Sequence, residues 1–166
     1  MLIHILEHFK RKFFIIKPTQ FNQIMEFKKY STNISERKAL KRKLKYSIIE
    51  SLQDEYYSYS DNTKLVFDEI IYKATDRGFS FNGINTLATK CNVSESTVKR
   101  VLRRLRSTGK VFVAYRKNPN GKGAKTPIVF FTEHPLFKSY HSFFSFPIEL
   151  VNDTLKNETN ADVPMV

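Results

Sequence analysis

The chain has 166 residues, 41% of them apolar and 15 of them Phe, enough for one packed domain and an accessory segment. Lys and Arg outnumber Asp and Glu by 28 to 16, a formal net charge of +12 that favours a polyanionic partner, nucleic acid or an anionic membrane surface. The single cysteine, Cys91, excludes an intramolecular disulfide and a multi-cysteine zinc site and suits a reducing, cytoplasmic interior.

In chain order, Leu2–Phe14 has the spacing of an amphipathic helix that Pro18 should stop. It lacks the roughly 20 consecutive apolar residues of a membrane span, and its apolar residues precede its basic ones, unlike a signal peptide. Residues 18–34 read as loop with a short helical piece at 20–29. Ser35 then reads as the N-cap of a helix to about Tyr57, with Leu40, Leu44, Ile48 and Leu52 on one face. Arg37, Lys38, Lys41, Arg42, Lys43 and Lys45 crowd its first half. That cluster has the composition of a nuclear-localisation patch, but a solvated face or a contact to backbone phosphates is the preferred reading.

Tyr56–Asn62 marks a boundary. Ser60 or Asp61 caps a helix over about 62–74, with Leu65, Val66, Ile70, Ile71 and Ala74 inward and Gly78 at its stop. Phe79–Phe81 reads as a short strand. Helices follow at Ile84–Cys91 and at about Glu95–Ser107, with Gly109 breaking the second. Val111–Arg116 and Ile128–Thr132 form a hairpin around the loop Lys117–Pro127. The aromatic stretch after Pro135 should pack back on the domain, and residues 153–166 read as disordered. The predicted organisation is an N-terminal basic helical segment (1–57), a central domain with its packing segment (58–150) and a polar tail (151–166).

The helix from Glu95 carries the most informative chemistry. Ser94 can accept from the amide of Ser96 or Thr97 and so cap its start. Val98, Val101, Leu102 and Leu105 fall within about 100° of arc. Ser96, Arg100 and Arg103 oppose them, flanked by Thr97, Lys99 and Arg104. Nothing acidic follows Glu95 on this helix, so its cations repel one another by several tenths of a kcal/mol per neighbouring pair, a surface that a polyanion completes. Leu87 and Ala88 face inward on the preceding helix. Asn92 suits a left-handed turn position, and Val93 fills the angle between the helices. Arg116, Lys117, Lys122 and Lys125 surround Gly121 and Gly123 in the hairpin loop, where glycines allow close approach to a sugar-phosphate backbone.

The pattern LAxxxxVSxxTVxRxLxxLxxxGxV, carried by Leu87, Ala88, Val93, Ser94, Thr97, Val98, Arg100, Leu102, Leu105, Gly109 and Val111 and followed by a basic hairpin, resembles the winged helix-turn-helix of bacterial DNA-binding proteins. The resemblance covers about residues 62–132. Asn92 stands where the family has a turn glycine, and Lys110 where an apolar residue is more common. The resemblance implies a mainly α fold with a small β-hairpin wing, preceded here by N-terminal helices. It also implies recognition of double-stranded DNA by the second helix and minor-groove or phosphate contact by the wing. The candidate DNA-binding residues are Ser94, Ser96, Thr97, Lys99, Arg100, Arg103, Arg104, Arg116, Lys117, Lys122 and Lys125.

Other chemistries fit less well. Gly121–Thr126 (GKGAKT) has the wrong spacing for a phosphate-binding loop and is followed by Pro127 and a strand. His4 and His8 lack acidic or cysteine partners nearby in sequence; His134 and His141 have no evident nucleophile or carboxylate pair; and the acidic residues are too scattered for a metal-dependent nuclease. The sequence thus points to a non-enzymatic protein without cofactor, metal, membrane span or evident small-molecule ligand. The leading expectation is a cytoplasmic, nucleoid-associated transcriptional regulator of a bacterium. It would bind specific duplex sequences as a homodimer paired through the Ser35–Tyr57 helix. The alternatives are a plasmid or phage replication-initiation or partition protein at origin DNA, and a protein-interaction module on the same fold.

Overall fold

The computed structural model describes residues 13–117 and 125–147. Within them the chain is mostly helical, around a small mixed four-stranded sheet. The elements are β1 (Ile15–Ile16), α1 (Pro18–Met25), α2 (Ile34–Leu52), α3 (Asp54–Ser58), α4 (Asp61–Arg77), β2 (Phe79–Ser80), α5 (Ile84–Cys91), α6 (Glu95–Ser107), β3 (Val111–Arg116), β4 (Thr126–Phe131) and α7 (Phe137–Phe144).

The strand order is β1-β3-β4-β2. β3 and β4 pair antiparallel from Val111↔Phe131 to Arg116↔Thr126. β2 adds antiparallel to β4, and β1 adds parallel to β3 with Ile15 opposite Tyr115 and Ile16 opposite Arg116. Both faces of this sheet are covered, which explains why VFVAYR and TPIVFF are apolar almost throughout rather than alternating. Val111, Val113, Val129 and Phe131 face a core shared with α2, α4, α5 and α6. Ala114, Ile128 and Phe130 face a second core built with Ile16, Phe21, Ile24, Phe79, Tyr140, Phe144 and Phe146. The period of two along each strand thus assigns neighbouring residues to different cores.

Local chemistry accounts for most boundaries. Ser60 Oγ accepts from Thr63 N at 3.2 Å and starts α4; Gly78, at φ 86°, ends it. A Cβ at Gly78 would lie 2.9 Å from His134 Nδ1, so close approach requires glycine there as well as the backbone angle. Asn33, rather than Ser35, caps α2: its side chain accepts from Ser35 N and Glu36 N.

Several expectations are corrected. The predicted helix Leu2–Phe14 lies outside the described residues up to residue 12, and its last two residues are not helical and lead into β1. Pro18 does not stop a helix but begins one, since a first helical position needs no N–H donor. The predicted helix to Tyr57 breaks at Gln53 (φ 54°), and the redirected chain buries Tyr56 from the short α3. Leu65 faces solvent at 46% exposure. Strand β4 begins at Thr126 and includes Pro127; β2 pairs only with Val129 and Phe130, so no neighbour there needs the missing N–H. The stripe Leu40, Leu44, Ile48 and Leu52 is buried in the core of its own chain, so it faces α4 rather than a second subunit. The aromatic stretch after Pro135 does pack back, as α7 and Phe146. The tail 151–166 lies outside the described residues.

Two outcomes follow from this packing. Phe130 is fully buried among Phe79, Tyr140, Phe144 and Phe146. Phe130→Ala should cost about 3–5 kcal/mol of stability in urea unfolding; a cost like that of a surface change would contradict the second core. His134 is buried, with Nε2 donating to Thr75 O (2.8 Å) and Nδ1 accepting from Leu136 N (3.0 Å). Burial holds its imidazole below the usual histidine range, so the folded state favours the neutral ring. This contribution is present above the unfolded pKa of about 6.5 and declines as pH falls through the folded value, because the unfolded chain takes the proton first. Urea midpoints measured from pH 7.5 to 5 should fall, and His134→Gln should flatten that fall.

Candidate nucleic-acid interface

The pair α5–α6 turns on Asn92, which takes the left-handed conformation at φ 55° and ψ 51°. Val93 N donates back to Ala88 O at 3.0 Å, closing the end of α5. Two residues later Ser94 opens α6: its Oγ accepts from Thr97 N at 3.1 Å and lies 3.0 Å from Thr97 Oγ1. Ser94 and Thr97 are therefore already tied to each other at the helix start, while Ser96 is exposed beside them.

Val98, Val101, Leu102 and Leu105 are buried. That fixes the rotation of α6 and leaves Ser96, Lys99, Arg100, Arg103 and Arg106 exposed. Helical spacing divides these into overlapping rows. Ser96, Arg100 and Arg103 run along the middle. Lys99, Arg103 and Arg106 run along the side toward the hairpin, where Arg106 Nη2 donates to Tyr115 Oη at 3.0 Å. Thr97, Arg100 and Arg104 form the opposite flank, against the α3 corner.

The flanking cations are not equivalent. Arg104 donates through Nε (3.0 Å) and Nη2 (2.8 Å) to Glu55 Oε2, and this bond raises its pKa further. Arg100 lies over the Tyr59 ring at 6.0 Å from the centroid and has no acidic partner. Lys64 sits 5.6 Å from the Tyr56 ring and 6.0 Å from that of Tyr57, which is 66% exposed. Glu55, Tyr57, Tyr59 and Lys64 were not among the sequence candidates. The segment YYSYS read as a boundary, and its aromatic spacing beside Lys64 was the available signal.

At the far end of the hairpin, the Arg116 guanidinium stacks 4.0 Å over Phe21 and is half-buried, so its reach outward is limited. Lys117 and Lys125 are exposed where β3 ends and β4 approaches, and Lys125 Nζ is 5.9 Å from the Phe13 ring. Lys122, with Gly121 and Gly123, lies outside the described residues, as do His4 and His8. The structure thus brings Ser94, Ser96, Thr97, Lys99, Arg100 and Arg103 onto one helix surface and puts Arg116, Lys117 and Lys125 at the hairpin's far end.

Ion pairs sort the remaining charge. Lys45 pairs with Asp68, Lys90 with Glu69, Arg37 with Asp76 and Lys110 with Glu133. Cys91 is buried, and burial raises its thiol pKa, which disfavours the reactive thiolate. Among the described residues no group of three or more His, Cys, Asp or Glu side chains could hold a metal ion, and no helix is long and apolar enough to cross a membrane. Comparison with protein-family models, with curated proteins and with solved structures finds no match to this chain.

Proposed function

We propose that the protein binds double-stranded DNA sequence-specifically through a winged helix-turn-helix. In this reading α4, α5 and α6 are its three helices, β2 its short first strand, and β3–β4 its wing. The observation that carries the proposal is the division of α6. One side is fully buried, and the other presents Lys99, Arg100 and Arg103 to solvent without an acidic partner. A B-DNA major groove about 12 Å wide admits one helix. With α6 in the groove, its N-terminal residues meet base edges, and Ser94 and Thr97 lie near the phosphates.

The roles divide by freedom. Arg100 and Arg103 present exposed guanidinium groups without acidic partners on the central row and are the base-reading candidates. Lys99, Lys117 and Lys125 contact phosphates. Arg104 is held by Glu55, so it anchors α6 to α3 as much as it contributes charge to the interface. Arg116 stiffens the far end of the wing through Phe21. A regulator of bacterial transcription fits this single reading head, and genomic fragments recovered with the protein should lie over promoters; recovery of replication origins instead would assign it to plasmid or phage replication.

Binding measurements on matched and random duplexes separate the roles. Arg100→Ala and Arg103→Ala should each weaken the preferred site by about 1–3 kcal/mol and relax its sequence preference. An equal loss on random DNA for both would remove them from base reading. Lys125→Ala should weaken all duplexes alike and reduce the slope of log affinity against log salt by about one unit. An unchanged slope would take the wing off the phosphates.

A further inference from the structure

The six cations in the first half of α2 fall into two groups of three. Arg37 pairs with Asp76 at 3.3 Å, Lys45 pairs with Asp68 at 2.9 Å, and Lys41 lies 5.4 Å from the Tyr72 ring centroid. These three, with the buried leucines, bind α2 to α4. Lys38, Arg42 and Lys43 face solvent beside Tyr46, which is 66% exposed. Lys38 and Arg42 are four residues apart and repel across one turn. Between Glu36 and Glu50 the helix carries no acidic residue to relieve them. A groove of about 180 Å³ runs beside them, bordered by Ile34, Arg37, Lys38, Lys41, Tyr72 and Asp76.

This surface stands away from α6. Asn62, at the start of α4, donates to Asn92 O in the α5–α6 turn, whereas Arg37 pairs with Asp76 near the end of α4. Those fourteen residues span about 21 Å at 1.5 Å per residue. Ser47, toward the C-terminal end of α2, donates to Glu133, which also pairs with Lys110, so α2 meets the hairpin at the end opposite Lys117 and Lys125. One duplex lying on α6 and the hairpin's far end therefore does not account for the α2 cations.

We infer that the outward face of α2, through Lys38, Arg42 and Lys43, holds the phosphate backbone of a second nucleic-acid duplex, so that one chain bridges two segments. Charge complementarity selects the occupant: the exposed apolar side chains of α2, Ile34 and Tyr46, stand at opposite ends of the row and form no stripe, so the cations between them fit a polyanion rather than a partner helix. The first duplex in this arrangement rests on the function proposed for α6; the second does not.

The test loads the full-length protein on an immobilised short duplex of mixed sequence and measures retention of a second, labelled duplex. The unaltered protein should retain it. Combined Lys38→Ala, Arg42→Ala and Lys43→Ala should reduce retention by about tenfold or more while loading on the first duplex changes less than about twofold. Equal retention by the triple variant, or no retention by the unaltered protein, overturns the inference. Vesicles containing phosphatidylserine form a parallel arm. Loss of vesicle binding in the triple variant with duplex retention unchanged also overturns it and assigns the face to a membrane surface. In a separate arm, Arg100→Ala with Arg103→Ala should weaken loading on the first duplex. Normal loading there, with retention still dependent on Lys38, Arg42 and Lys43, counts against the α6 reading alone.

Discussion

The burial of Val98, Val101, Leu102 and Leu105 sets the orientation on which the rest of the molecule depends. Each such side chain contributes about 1.5–3 kcal/mol on removal from water. Repulsion between neighbouring cations on the opposite side costs only several tenths of a kcal/mol per pair. Burial wins by a wide margin, so the fold tolerates an outward face that carries Lys99, Arg100, Arg103 and Arg106 with no acid among them. The same comparison holds on α2, where Leu40, Leu44, Ile48 and Leu52 face inward and Lys38, Arg42 and Lys43 face water.

The sheet transmits that orientation to the hairpin. Alternate residues of β3 and β4 enter two different cores, so the hairpin is gripped from both faces. Arg106 joins the last turn of α6 to Tyr115, while Phe13 packs edge-on against the same ring at 4.9 Å between centroids. Phe21 receives Arg116 from the other side of the sheet. The exposed lysines at the hairpin's far end, Lys117 and Lys125, therefore extend from a stiff base.

Local signals made the centre of the chain legible. Ser94 at a cap, Asn92 at a left-handed turn and an apolar row every three or four residues define α5 and α6, and the structure places both helices at the bounds that these signals predict. The first hairpin strand was equally clear, because Gly109 and a run of β-branched and aromatic residues delimit it. Non-local constraints were hidden. The pairing of Ile15 and Ile16 with β3 depends on residues a hundred positions away, and two residues carry no strand periodicity. The break at Gln53 lacks glycine or proline to announce it, and Leu65 fits the apolar row of α4 by spacing yet is left about half exposed. Of the interface candidates, the exposed arginines of α6 could be read from helix period alone. The engagement of Arg104 by Glu55 could not, since it joins residues 49 apart in sequence.

A basic chain needs a reason to keep some cations paired and others open. Here acids sit where elements meet, Asp68, Glu69 and Asp76 on α4 and Glu133 in the turn after β4, and neutralise the cations that cement the fold. Open cations form rows on the outward faces of α2 and α6 and recur at the hairpin's far end, and the α6 row is the one proposed for the major groove. Amide resonances followed during titration with a short duplex test this most directly. The account predicts that shifts begin at Ser94–Arg103 and include Lys117 and Lys125. Shifts confined to other surfaces, with those of α6 unmoved at saturation, would contradict it.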